Sequence, residues 1–157
     1  MSRNTIIVSI IWLALAGGLY YLMDGILNPN KLSGLGNKEE VVLRRGADGH
    51  YRAEALINGQ RVDVLVDTGA TGVAISQRIA DKLGLTSRNA IMTSTANGDT
   101  VAYMTRLGSV KIGGVEAKDV AAVIAPGLDG DVLLGMSFLG RMDVRLFQGN
   151  MTIKQVE

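Results

Sequence analysis

Asp67 stands at the end of an apolar run, Val64-Leu65-Val66, and is followed by Thr68, Gly69, Ala70 and Thr71. A carboxylate so placed is held at the rim of a core by backbone rather than by a loose loop. Gly69 permits a tight turn that a Cβ would obstruct. An acid presented in this way suits general acid–base work, the movement of a proton to or from a reacting group. Taken alone, Asp-Thr-Gly also reads as an ordinary turn ending a strand, where Asp and Gly are common. The apolar strand before it, and a second apolar-apolar-Gly at Leu133-Leu134-Gly135, make the pattern far more specific.

Other chemistries find little support. The chain has no Cys and a single histidine, His50. That removes thiolate nucleophiles, disulfides and Cys-ligated metals, and leaves no His cluster for zinc. Ser137 lies in Gly135-Met136-Ser137-Phe138-Leu139, which lacks the final Gly of a nucleophile elbow, so it reads as structural. Asp129-Gly130-Asp131 lacks the rest of a calcium-loop pattern and reads as a turn. Lys and Arg number 16 against 15 Asp and Glu, a balance that gives no electrostatic case for nucleic acid. Asp-x-Gly-Ala-Thr after an apolar strand also occurs in the phosphate loops of two-lobed ATPases. Those proteins need several hundred residues of alternating strands and helices, and this chain has 157 residues and one evident helix after its N-terminal run.

The elements that must position Asp67 are mostly strands. Tyr51–Ile57 and Arg61–Val66 are strand-like and are joined by Asn58-Gly59, a strong hairpin signal. Residues 76–83 read as a short helix, capped by Ser76 and ended by Gly84. Strand-like segments follow at 90–95, 100–112 and 115–125, with turns at Asn97-Gly98 and Gly113-Gly114. Val132-Leu133-Leu134 is wholly apolar, Met136–Arg141 suits a helical turn, and a last hairpin turns at Gly149-Asn150. Aromatics make up only 4% of the chain, so aliphatic residues must fill the core.

Ahead of this domain, residues 5–23 carry no charge. About 20 apolar residues in a helix cross a bilayer core, so the run is long enough to span it. The apolar character continues past Ala14-Leu15-Ala16, the one site resembling a signal-peptide cut, which favours an uncleaved anchor. Arg3 precedes the run and Lys31 is the first basic residue after it, which places the N-terminus in the cytoplasm. Residues 24–40 hold three Gly, three Asn, Pro29 and Ser33 and read as a flexible linker.

Val-Asp-Thr-Gly-Ala-Thr with a distant apolar-apolar-Gly resembles the retropepsin-like aspartic proteases. The bacterial single-pass members, with an N-terminal membrane helix and a short linker, are the better match. The similarity extends over the whole domain and includes the short helix after the motif, the Ala96-Asn97-Gly98 turn and the run Leu133–Leu139. It implies an all-β fold: the single-lobed, closed β-barrel of the acid proteases with one or two short helices, preceded by the transmembrane helix. Asp67 would be the catalytic carboxylate. Thr68, Gly69 and Ala70 would support the active loop, the Thr68 hydroxyl bonding across a dimer axis. Leu133, Leu134 and Gly135 would brace that loop from beneath. Ala96, Asn97, Gly98 and Asp99 would form the flap over the substrate. Thr71 and Gly72 stand where viral members carry acidic residues, so the viral mode of holding the substrate backbone does not carry over.

The chemistry this implies is peptide hydrolysis by one water between two carboxylates that share a proton, with no metal or organic cofactor. The chain holds one Asp-Thr-Gly and no internal repeat, so the second Asp67 must come from a second copy in a homodimer. The substrate would be an extended polypeptide bound by strand-like hydrogen bonds. The expected layout is a cytoplasmic 1–5, a transmembrane helix 6–23, a linker 24–40 and a protease domain 41–157. The resulting expectation is a single-pass protein of the bacterial inner membrane with a periplasmic C-terminal domain. The alternative is a dimeric module of the same fold that grips peptides without cutting them.

Overall fold

The computed structural model describes residues 3–28, 30–31, 39–95 and 98–156. Helix α1 (Arg3–Leu27) comes first, then strands β1 (Glu40–Arg44), β2 (Tyr51–Ile57), β3 (Gln60–Val66) and β4 (Val73–Ile75). A short helix α2 (Gln77–Lys82) leads to β5 (Ala90–Thr95), β6 (Gly98–Ile112), β7 (Val115–Ile124) and β8 (Val132–Leu134). A single turn, α3 (Met136–Leu139), precedes β9 (Met142–Phe147) and β10 (Asn150–Gln155).

Six strands close into a barrel in the order β2, β3, β8, β4, β7, β6, with β6 returning to β2. The ring is mixed: β3–β8 and β4–β7 run parallel, the other pairs antiparallel. β5 extends the sheet beyond β6, outside the ring. A separate three-stranded sheet, β1-β10-β9, completes the domain.

Alternation along the strands explains why the ring closes over an apolar centre. β3 turns Val62, Val64 and Val66 inward and leaves Arg61 and Asp63 exposed. β2 buries Ala53, Ala55 and Ile57 in the same way. A one-residue slip would expose every one of these, so the pattern fixes the register. The turn agrees with it: Asn58 and Gly59 both have positive φ, 49° and 79°, as a type I′ hairpin requires. Val41, Leu43, Met151 and Ile153 from the small sheet join the barrel residues in one core. Among the described residues Phe138 is the one fully buried aromatic, and aliphatic side chains fill the rest.

Helix α1 has 25 residues, a length of about 37 Å at 1.5 Å per residue. Its segment Thr5–Leu27 has a mean hydropathy of 2.1 and is unburied by the rest of the chain, so it is long and apolar enough to cross a membrane. The helix continues through Asp24 and Gly25 to Leu27, into the stretch whose composition suggests a linker. Three other details differ from the sequence reading. The last hairpin turns at Gln148-Gly149, with φ of 47° and 78°, and Asn150 already belongs to β10. Gly98 is the first residue of β6, paired with Thr95, and not the second residue of a two-residue turn. β4 is too short and too close to the Asp-Thr-Gly turn to stand out as a strand from its residues alone.

Candidate active site

Asp67 follows the last residue of β3. That strand runs beside β8, with Val64, Leu65 and Val66 facing Val132, Leu133 and Leu134. The two apolar runs that stand out in the sequence are therefore neighbours in the sheet. The Asp67 N–H continues the ladder by donating to the Leu134 carbonyl at 3.1 Å. After it the chain turns sharply. The Ala70 N–H donates to the Asp67 carbonyl at 3.3 Å, and the Gly69 N–H donates to Asp67 Oδ1 at 2.8 Å. This is an Asx turn, in which the side chain copies a backbone acceptor. Its bond is charge-assisted when the carboxylate is ionised. One carboxylate oxygen is thus fixed, while Oδ2 has no hydrogen-bond partner among the described residues. Asp67 is half-buried, and Thr68 and Gly69 are exposed.

Glycine at 69 is a matter of space. A Cβ there would lie 3.2 Å from Asp67 Oδ1 and press on the carboxyl group. Gly135 is more constrained. A Cβ on it would fall 2.3 Å from the Gly72 carbonyl oxygen and 2.5 Å from that of Ala70. The next residue, Met136, donates its N–H to the same Ala70 oxygen at 2.8 Å. Leu133 to Met136 therefore passes directly against the loop Asp67–Gly72 and bonds it at Asp67 and at Ala70. Ser137 adds a third tie. Its hydroxyl accepts from the Val73 N–H at 3.0 Å and donates to the Ala121 carbonyl at 2.8 Å, joining the loop's exit to β7. A hydroxyl placed two residues after Gly135 was the only clue in the sequence to that role.

The fold brings together Asp67, Thr68, Gly69, Ala70, Leu133, Leu134 and Gly135. Gly98 and Asp99 lie apart from this cluster in sequence and ladder, on the exposed hairpin of β5 and β6. There Asp99 pairs with Ser94, and the Thr95 hydroxyl donates to the Gly98 carbonyl at 2.8 Å. Ala96 and Asn97 lie outside the described residues. The hairpin connects to the active loop through β7, which pairs with both β6 and β4. Among the described residues no three His, Cys, Asp or Glu side chains gather as metal ligands. A cavity of about 770 Å³ lies elsewhere, lined by Asn30, Arg44, Arg52, Asp63 and Leu133 among others but not by Asp67, Thr68 or Gly69.

Residues 53–141 match the family described as "gag-polyprotein putative aspartyl protease". The chain is similar to a retropepsin-like aspartic protease from Rickettsia conorii of known crystal structure. The two are 32% identical, with a TM-score of 0.66 over 74% of this chain and 90% of that one. It also shares its fold with the EIAV protease complexed with the inhibitor HBY-793, at 21% identity and a TM-score of 0.50, over 60% of this chain and 88% of that one. An uncharacterized protein in the cobV 5' region of a Sinorhizobium species is 34% identical over 111 residues, 68% of this chain and 48% of that protein. The chain spans about half the length of the curated relatives it matches. The family match takes in the Asp67 turn, the brace beneath it and the barrel that carries both, and on that ground the chain belongs to the retropepsin-like aspartic proteases.

Proposed function

We propose that this protein is a membrane-anchored aspartic endopeptidase, active as a homodimer in which each subunit supplies Asp67. The observation that carries this reading is the Asp67 carboxyl group itself. One oxygen is pinned by the Gly69 N–H at 2.8 Å, and the other is left without a partner among the described residues. A group that is oriented yet half available is prepared for proton transfer. Two such carboxyls about 3 Å apart across a two-fold axis cannot both ionise cheaply and hold one proton between them. The ionised member deprotonates a water, which attacks the peptide carbonyl. The protonated member donates to the carbonyl oxygen. As the tetrahedral intermediate collapses, the leaving nitrogen takes the proton held by one carboxyl group, a hydroxyl of the intermediate gives its proton to the other, and the pair returns to its shared state.

Other residues take supporting parts in this reading. The exposed Thr68 lies next to Asp67, where its hydroxyl can reach across the dimer axis. The β5–β6 hairpin, with Ala96 to Asp99 at its end, closes over an extended polypeptide. Helix α1 anchors the domain in the bacterial inner membrane, and Arg3 on the short side favours a periplasmic domain. A reporter that works only outside the cytoplasm, fused after Glu157, then gives signal, and a cytoplasm-only reporter gives none.

The test of the activity is a digest of a mixed peptide library by the purified full chain, read by mass spectrometry. Wild type should cut and Asp67→Asn should not. Uncut peptides that stay bound to wild type would instead identify a binding module of the same fold.

A further inference from the structure

The segment that leaves the membrane helix does not trail freely. Asn30, three residues past the end of α1, is 6% exposed. Its side-chain Nδ2 donates to the Arg44 carbonyl at 2.9 Å and to the Arg52 carbonyl at 2.8 Å. Its Oδ1 accepts from the Arg44 N–H at 2.9 Å, and its backbone carbonyl accepts from the Glu54 N–H at 3.3 Å. Arg44 ends β1, and Arg52 and Glu54 lie in β2. Asn30 thus fills a gap between the small sheet and the barrel, and a buried amide with its oxygen and nitrogen both bonded acts as a specific fastening. The other side of the junction is fastened too. Asp24, in the last turn of α1, accepts from Asn28 Nδ2 at 2.9 Å and pairs with the Lys31 ammonium.

These bonds set a distance. Three residue steps separate Leu27 from Asn30, at most about 11 Å of chain. Asn30 lies beside β2, and Arg52 of β2 faces Leu65, two residues before Asp67 on β3. Two strand spacings across and two residues along come to about 12 Å. The catalytic carboxyl group is therefore within about 25 Å of the end of the membrane helix. A free tether over residues 28–39 would add about 19 Å of root-mean-square reach and allow extremes near 40 Å.

From this latch we infer that the domain is seated on the bilayer and that its substrates are polypeptides tethered to the same membrane, cut within about 25 Å of the surface. That is about seven extended residues. The inference rests on the proteolytic reading of Asp67 and on α1 crossing the membrane.

The test uses the full chain in phosphatidylethanolamine–phosphatidylglycerol vesicles. The probes are lipid-anchored peptides in which a rigid polyproline spacer of about 4 or about 12 residues, near 12 or 37 Å, precedes a mixed-sequence segment, the longer one beyond the latched reach and within that of a freed tether. Wild type should cut the short-spacer probe about tenfold faster or more than the long one. Asn30→Ala should shrink that ratio to about threefold or less. So should a flexible Gly/Ser insertion of about 12 residues after Asn28, which leaves the latch intact but lengthens the tether. Amide exchange supplies a readout independent of activity: the Arg44 and Glu54 N–H groups should be protected in wild type and lose about tenfold or more in Asn30→Ala. Equal cutting at both heights by wild type overturns the inference, as does equal exchange of those amides in wild type and variant. If wild type cuts neither these probes nor soluble peptides, the proteolytic reading and the substrate inference fall together, while the exchange data decide the latch separately.

Discussion

A Cβ on Gly135 would fall 2.5 Å from the carbonyl oxygen of Ala70, so that backbone would have to shift to admit it. The obstructing atoms are backbone, and that same oxygen already accepts the Met136 N–H. Gly135→Ala should therefore push the active loop off its brace. Overpacking of this kind costs about 1–3 kcal/mol, to be read from urea unfolding. Cleavage should fall further than stability, because the loop that moves carries Asp67. Normal stability and normal turnover in this variant would contradict the bracing role.

Asp67→Asn should leave the fold in place, since an amide oxygen can still accept the Gly69 N–H. Turnover should drop by about 10²–10⁴ or more, the usual span for losing an acid–base group. Mixing equal amounts of wild type and Asp67→Asn under free subunit exchange leaves about a quarter of the dimers with two aspartates. Activity should follow the square of the wild-type fraction. A straight line, with exchange demonstrated, would mean that each chain is self-sufficient.

Gly98 has a φ of 105°, a conformation that side chains with a Cβ rarely adopt, although space beside it is open. Gly98→Val should strain the end of the β5–β6 hairpin by about 1–2 kcal/mol. Gly98 to Ala102 of β6 pair with β5 alone, beyond the ring's own pairings, so fraying there can relieve the strain, and the unfolding midpoint should shift little while the cleavage rate falls severalfold. A loss confined to stability would make it an ordinary structural hairpin.

Acid should act at Asp119. Its carboxyl group is held below the usual carboxylate value of 3.8, mainly by hydrogen bonds from Arg106, against the opposing effect of desolvation. Arg106 reaches both carboxylate oxygens, at 2.5 and 2.6 Å, and Arg141 donates to the Asp119 carbonyl at 3.1 Å. A group whose pKa is depressed on folding stabilises the protein above its unfolded value and loses that contribution as pH falls through the lower, folded value. Asp119→Asn keeps a residue that tolerates the φ of 51° at this position. The stability difference between wild type and variant should stay constant above about pH 5 and shrink as pH falls below 3.8 and through the lowered folded value. A difference unchanged across that range would show that the charge plays no part.

Much of this was legible in the residues. The alternation of β2 and β3 and the Asn58-Gly59 turn determine their hairpin locally. Ser76 does cap α2, its hydroxyl accepting the Ile79 N–H at 3.4 Å. The two apolar runs were readable too, although only one face of each is fully buried: Val64, Val66, Val132 and Leu134 face the core, and Leu65 and Leu133 are half-buried. What stayed hidden depends on partners far along the chain. Nothing local says that Leu56 and Ile57 meet Lys111 and Val110 to close the ring. Asn30 sits among linker-type residues, and its type gives no sign that four bonds will bury it. Ser137 was correctly read as structural, but its contacts with Val73 and Ala121 could not be named from spacing.

The closure between β2 and β6 also bears on how the chain folds. Its pairs, Leu56↔Lys111 and Ile57↔Val110, join residues more than fifty positions apart, reinforced by the Asn58 N–H to the Ser109 carbonyl at 3.0 Å and the Ser109 N–H to Asn58 Oδ1 at 3.0 Å. The hairpins β2–β3 and β6–β7 need only local turns and can form within microseconds. The seam must wait until the intervening chain is gathered, with its loop entropy already spent. With the still more distant pairing of β3 and β8, it belongs to the late steps of assembly. Weakening it should leave the folding rate nearly untouched and raise the unfolding rate, shortening the protein's folded lifetime without disturbing the loop that carries Asp67.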